Sequence, residues 1–202
     1  MTEEQHITLD DDNRLVTLCK KGDIHAFEML VRKHQKRVFN IAYRMVGHYE
    51  EASDIAQETF MAAYRGIKKF EEKAKFSTWL YTITVNLSKN RISQLKRRHS
   101  REPVSLDDPI DGANGQIRVE PRSNEPSIIE KLEKREIQEM VQGCIDLLEP
   151  EFKEVIVLRD IQGLTYGEIS KVLNVPEGTV KSRIFRGRDM LKDRLKEIMG
   201  DL

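Results

Sequence analysis

Lys181, Ser182, Arg183, Phe185, Arg186 and Arg188 fall within eight consecutive residues, and their types suit contact with duplex DNA. An arginine guanidinium matches the two acceptors that guanine shows in the major groove. Arg186 is the candidate for that reading. Lys181, Arg183 and Arg188 suit phosphates, contacts that position a protein without specifying sequence. A solvated helix end could also carry such charge. Seven basic against three acidic residues over 177–196 argue otherwise.

A second set lies at Trp79, Asn86, Lys89 and Asn90. Trp79, Asn86 and Asn90 are seven and four residues apart, which places them on one helix face. Residues 86–101 contain six basic and no acidic side chains. Amides read base edges, aromatics stack on bases and cations hold the backbone, a combination suited to bases taken out of a duplex. The alternative is a core tryptophan beside two merely exposed asparagines. A third set, Asp54, Gln57, Glu58 and Met61, reads alone as a solvated face. The lesser alternative is an acidic and Met surface that docks a basic partner helix.

These residues need helices to position them. Thr165 and Glu168 form a T-x-x-E capping box that starts a short helix. Ile169, Leu173, Val175, Val180 and Ile184 close a small core against a second helix, with Pro176 in its first turn. That is a helix-turn-helix over 164–190, whose second helix enters a major groove. Upstream, Asp23 caps a helix that Gly47 ends. Ala52, Ile55, Ala56, Thr59, Phe60, Ala63, Tyr64 and Ile67 step by three and four and define a buried face opposite Asp54, Gln57, Glu58, Met61 and Arg65. A third helix runs from Ser77 to about Arg98, with Leu80, Ile83 and Leu87 inward. Helical spacing resumes from Ile128 to Leu148, Pro150 breaks it, and a short helix follows around Phe152–Asp160. No segment of useful length has strand period, so the chain reads as all-α.

Four of the six prolines lie between Arg101 and Pro126. The reading is two small helical domains, 1–100 and 128–202, on a flexible, acidic, proline-rich linker over 101–127. The 202 residues carry 34 basic and 34 acidic side chains, and zero net charge looks wrong for a DNA binder. The distribution corrects this: residues 1–100 hold 18 Lys/Arg against 13 Asp/Glu, whereas 101–133 hold 4 against 8. Cys19 and Cys144 have no metal-type spacing, and a disulfide framework is not expected. There is no apolar leader and no membrane span, so the chain reads as cytoplasmic. Walker, G-x-S-x-G, H-E-x-x-H and deaminase-type zinc motifs are absent. The histidines are scattered. No catalytic residue, metal or cofactor is expected, and the protein reads as a non-enzyme.

Four blocks in order resemble the extracytoplasmic-function (group IV) sigma factors of bacterial RNA polymerase: K-K-G-D-I-H-A-F-E-M-L-V at 20–31, D-I-A-Q-E-T-F-M-A-A-Y-R at 54–65, F-S-T-W-L-Y-T-I-T-V-N-L-S-K-N at 76–90 and G-T-V-K-S-R-I-F-R-G-R at 178–188. The envelope-stress members look most similar. The resemblance implies an initiation factor that binds core RNA polymerase, meets promoter DNA at −10 and −35, serves a stress-type regulon and answers to an anti-sigma factor. It implies that Asp54, Gln57, Glu58 and Met61 face the β′ clamp helices, and that the second domain meets the β flap. Asn86 would line a pocket for a flipped −10 base, which the loop from Lys69 to Lys75 helps form. Lys75, Phe76, Trp79, Tyr81, Lys89 and Asn90 would belong to the −10 and melting surface. Lys181, Ser182, Arg183, Phe185, Arg186 and Arg188 would face the −35 element. The alternative is a stand-alone helix-turn-helix regulator that binds operators without polymerase.

Overall fold

The computed structural model describes residues 9–71, 73–101 and 128–199, and among these there is no strand. The described residues form eight α-helices in order: α1 (Leu9–Lys20), α2 (Ile24–Val46), α3 (Tyr49–Gly66), α4 (Phe76–Arg101), α5 (Ile128–Asp146), α6 (Pro150–Ile156), α7 (Tyr166–Leu173) and α8 (Glu177–Met199). The linker expected at 101–127 lies almost wholly outside the described residues; Arg101 ends α4.

Helices α1 to α4 form the first unit. Asp23 caps α2 by accepting from the Ala26 N–H at 3.1 Å, and Gly47 ends it with φ 79°, a conformation that costs glycine little. The buried face of α3 holds Ala52, Ile55, Thr59 and Ala63 as expected, but Tyr64 is exposed and lies edge-on to Phe27 at 5.0 Å. α4 begins one residue earlier than read. Its inner side carries Thr84 and Ser88 as well as Leu80 and Val85. Those hydroxyls donate to the Leu80 and Thr84 carbonyls four residues back, which satisfies both donors in the buried face.

α1 was not read from the sequence. It buries Leu15, Val16 and Cys19 and is pinned to α2 by charge. The buried Asp12 carboxylate lies 3.0 Å from His34 Nε2 and 2.6 Å from Lys33 Nζ. Burial by itself would raise the Asp12 pKa, but these two partners outweigh it and hold the pKa below the usual carboxylate value. His34 is thus a structural histidine.

Helices α5 to α8 form the second unit. Pro150, read only as a breaker, also occupies the first position of α6, where no N–H is needed. A π-helical turn over Val157–Ile161 continues α6. The capping box at α7 is complete: Thr165 Oγ1 accepts from the Glu168 N–H, and Glu168 Oε2 accepts from the Thr165 N–H. Asn174 ends α7 in the left-handed region at φ 54°. Pro176 stands just before α8, not inside its first turn. Where α8 crosses α6, a Cβ on Gly187 would come within 2.9 Å of Ile156 Cγ1, so glycine permits this close approach.

The two units are not separate. Buried side chains run without a break from Leu15, Leu30 and Phe76 to Val155, Leu158, Ile169 and Ile184. Lys153 on α6 is buried and donates to the Met45 carbonyl at the end of α2 at 3.1 Å, while pairing with Asp146 at 2.7 Å. Arg44 donates to Gln142 at 2.9 Å.

Candidate nucleic-acid interface

α8 presents the first set of candidates along its length. Phe185 is 75% exposed, and Arg186 is exposed with no hydrogen bond or ion pair among the described residues. Both side chains are therefore free for a ligand. Lys181 lies 5.8 Å from the Tyr166 ring centroid, within cation–π range. Ser182 spends its hydroxyl on the Thr179 carbonyl. Arg183 pairs with Glu151 at 2.6 Å, and Arg188 forks onto both oxygens of Asp160. Asp160 holds the Arg188 pKa above its usual value, chiefly by hydrogen bonding. The basic stripe is thus half free and half tied to its own unit. Tyr166, Ile184, Phe185 and Lys192 help line a groove of about 470 Å³ beside it.

The second set is split by its surroundings. Asn86 and Asn90 are exposed on α4, as their spacing implies. Trp79 is only part-exposed. Its ring stacks on Phe70 at 4.9 Å, lies 5.8 Å from Phe76 and covers Gly66. The expectation of an open tryptophan face misses Phe70, which arrives from the 3-10 turn Ile67–Lys69 before α4. Phe76 and Tyr81 are buried, at 1% and 2% exposure, and both rings meet His34. Burial raises the Tyr81 pKa despite the opposing pull of Arg37. Trp79 and Phe70 form one wall of a cleft of about 360 Å³, with Lys69, Lys73, Thr78 and Thr82 around it. Lys171, from the second unit, also lines this cleft. Sequence spacing gave no signal for that lysine.

The third set stands on the outside of α3. Asp54, Gln57 and Glu58 are exposed, and Met61 is 51% exposed beside the exposed Tyr64. Arg91, counted from sequence in the basic stretch of α4, turns to this acidic face. It pairs with Glu51, with Glu58 at 3.1 Å and with Asp54 at 3.8 Å. The face is therefore an ordered acidic–apolar strip rather than a loose set of carboxylates.

Residues 30–98 match the family model described as Sigma-70 region 2, and residues 138–191 match Sigma-70, region 4. Among similar proteins, the RNA polymerase sigma-H factor of Pseudomonas aeruginosa is 33% identical over 96% of this chain and 99% of its own length. The ECF RNA polymerase sigma factor SigW of Bacillus subtilis is 38% identical over 89% of this chain and 94% of its own. The chain belongs to the ECF RNA polymerase sigma factors. It is a transcription initiation factor and not an enzyme, and it works with core RNA polymerase and promoter DNA. Two solved structures share its fold. CnrH, in complex with the cytosolic domain of CnrY, superposes with TM-score 0.67 at 24% identity over 93% of this chain and 99% of CnrH. The sigma factor RpoE of Bartonella quintana, in complex with the anti-sigma factor NepR, gives 0.61 at 21% identity over 86% and 98%. The α3 and α4 surfaces of this sigma factor fall in its region 2, and α8 falls mostly in its region 4. No described helix is long and apolar enough to cross a membrane.

Proposed function

We propose that this sigma factor directs core polymerase, in the cytoplasm, to stress-type promoters through two separate DNA contacts, under an anti-sigma factor. The division of labour is region 2 over 1–100, a linker over 101–127 and region 4 over 128–202. The observation that carries the reading is the exposed, unpaired Arg186–Phe185 pair on α8, present on the same chain as the exposed Asn86–Asn90 face of α4. Arg186, with Lys181, Ser182, Arg183, Phe185 and Arg188, reads and grips the −35 duplex. Asn86 and Asn90, with Lys75 and Lys89, meet the displaced strand at −10. The cleft of Trp79, Lys69, Glu71, Lys73, Thr78 and Thr82 suits one unstacked base: a ring to lie against, hydroxyls to donate or accept, and Lys69 for its phosphate, Lys73 being paired with Glu71 at 2.6 Å. Phe76 and Tyr81, both buried, hold the shape of this surface from beneath.

Asp54, Gln57, Glu58, Met61 and Tyr64 offer charge and an apolar anchor to the β′ clamp helices, and the second unit meets the β flap. Joining two modest DNA contacts on one chain raises the effective concentration of the second once the first is made. Melting follows from capture, since unstacking costs a few kcal/mol that pocket contacts offset only in the open form. Anti-sigma control is supported by the partner named with the RpoE structure of the same fold.

The test is reconstituted holoenzyme on a promoter fragment. Asn86→Ala is expected to leave retention of the fragment intact and to reduce permanganate reactivity of unpaired thymines. Arg186→Ala is expected to reduce retention itself. Asn86 does not line the Trp79 cleft, so unchanged permanganate reactivity in Asn86→Ala would remove the assignment of Asn86 to the displaced strand.

A further inference from the structure

Arg91 follows Asn90 in the basic run of α4, yet its guanidinium lies against α3. Nη1 pairs with Glu51 and stands 3.8 Å from Asp54 Oδ2, and Nη2 donates to Glu58 Oε1 at 3.1 Å. Glu51, Asp54 and Glu58 are spaced by three and four residues, so they fall on one helix face, where like charges repel. One guanidinium among three carboxylates leaves the spot acidic by two charges.

The four side chains differ in depth. Arg91 and Glu51 are 21% and 25% exposed at their side chains, whereas Asp54 and Glu58 are 64% and 51% exposed. The pair of Arg91 with Glu51 thus forms a floor, and Asp54 and Glu58 stand above it. Each outer carboxylate gives one oxygen to Arg91. The other, Oδ1 of Asp54 and Oε2 of Glu58, has no partner among the described residues. A covered guanidinium held by Glu51 therefore fixes the outer two and leaves each of them an oxygen for a second cation. Met61 and Tyr64, both exposed, continue α3 beyond this spot.

We propose that Arg91 is a positioning residue for the polymerase contact: it holds Asp54 and Glu58 in the conformation that accepts cationic side chains of the clamp helices, and it does not touch the displaced strand. The proposal rests on the reading of α3 as the polymerase face. Ordering two carboxylate side chains before the partner arrives lowers the entropy lost on binding. Charge alone acts the other way, because removing Arg91 makes the face more acidic and more attractive to a basic partner. Loss of a positive charge that weakens the complex is therefore the mark of positioning.

The test measures the affinity of core RNA polymerase for the full chain by competition with labelled wild-type chain. Arg91→Gln is expected to weaken it about fivefold or more, through faster dissociation. Arg91→Lys is expected to recover part of the loss, since an ammonium keeps the charge without the fork. Glu51 is too covered for broad contact with a partner, so Glu51→Gln reports on Arg91. It is expected to weaken core binding alone, and to add less than about twofold in the Arg91→Gln background. With the chain at saturation, permanganate reactivity of the open promoter is expected to match wild type in all these variants. Should Arg91→Gln fail to fold, Arg91→Lys and Glu51→Gln carry the same comparison. Unchanged or tighter core affinity in Arg91→Gln would overturn the proposal. So would reduced melting that persists at saturation, which would make Arg91 a strand contact, and so would independent effects of Glu51→Gln and Arg91→Gln. Glu58→Gln separates this inference from the reading beneath it. If Glu58→Gln weakens core binding and Arg91→Gln does not, the clamp-facing reading of α3 stands and the positioning alone is lost. If Glu58→Gln leaves core affinity unchanged, that reading falls and the proposal with it.

Discussion

Arg186 and Arg188 stand one turn-fraction apart on α8, yet only Arg186 is unpaired. That difference separates their expected phenotypes. Arg186→Ala removes a group with no role inside the chain, so promoter affinity falls by about 1–3 kcal/mol if it reads a base edge. The melting temperature stays unchanged. Arg188→Ala weakens an exposed pair with Asp160, worth about 1 kcal/mol at most, and reduces the salt dependence of promoter binding by about one ion. Filter binding over a salt series, alongside thermal melts, distinguishes the two. On α3, Met61→Ala leaves the fold intact because the side chain is half exposed. It is expected to cost about 1 kcal/mol or more of core polymerase affinity if Met61 is the apolar anchor. Residue types indicated which arginines and amides to consider. They could not show that Arg91 would leave the basic stretch for Glu51, Asp54 and Glu58, because that depends on how α3 and α4 cross.

At the scale of elements, α7 hangs on its cap. Thr165→Ala is expected to cost about 1 kcal/mol, a melting shift of a few degrees in a chain of this size. Glu168 adds a pH signature. The hydrogen bond from Lys75, followed by those from Thr165, lowers its pKa from 4.5 to about 2. A lowered carboxylate pKa stabilises the fold fully above the unfolded value and loses that contribution as pH falls through the folded one. The expected loss therefore begins near pH 4.5 and completes around pH 2, and melts across that range should show it. Glu168→Gln is expected to flatten this part of the profile, and Lys75→Gln to narrow it. The cap of α7 and the helix pair α7–α8 are legible because their signals are local: T-x-x-E and the apolar spacing of Ile169, Leu173, Val180 and Ile184, although Pro176 falls just before α8. α1 is not, because its packed apolar residues Leu15, Val16, Leu18 and Cys19 are confined to its second half, after Asp10, Asp11 and Asp12. The start of α6 was misread because proline both breaks a helix and opens one. The partial cover over Trp79 is not legible in the sequence because its neighbour Phe70 comes from a different element.

For the whole molecule, the all-α class and the two helical units followed from periodicity and proline content. Their closure did not. It joins an apolar core that runs through both units to ion pairs of Lys75, Lys89, Lys153, Glu154 and Glu168, and nothing in their spacing marks Lys153 and Glu154 as buried. Lys153→Glu should expose the consequence. A carboxylate there would face Asp146 and the Met45 carbonyl, so the units are expected to part, with a larger hydrodynamic radius and unchanged helical content by circular dichroism. The central claim concerns what both units do together with polymerase, and it is tested most directly by run-off transcription from genomic promoter fragments using core RNA polymerase with and without the purified chain. The account predicts a stable core complex and discrete transcripts only when the chain is present. Operator-like DNA binding by the chain alone, with no core complex and no transcript, would contradict it.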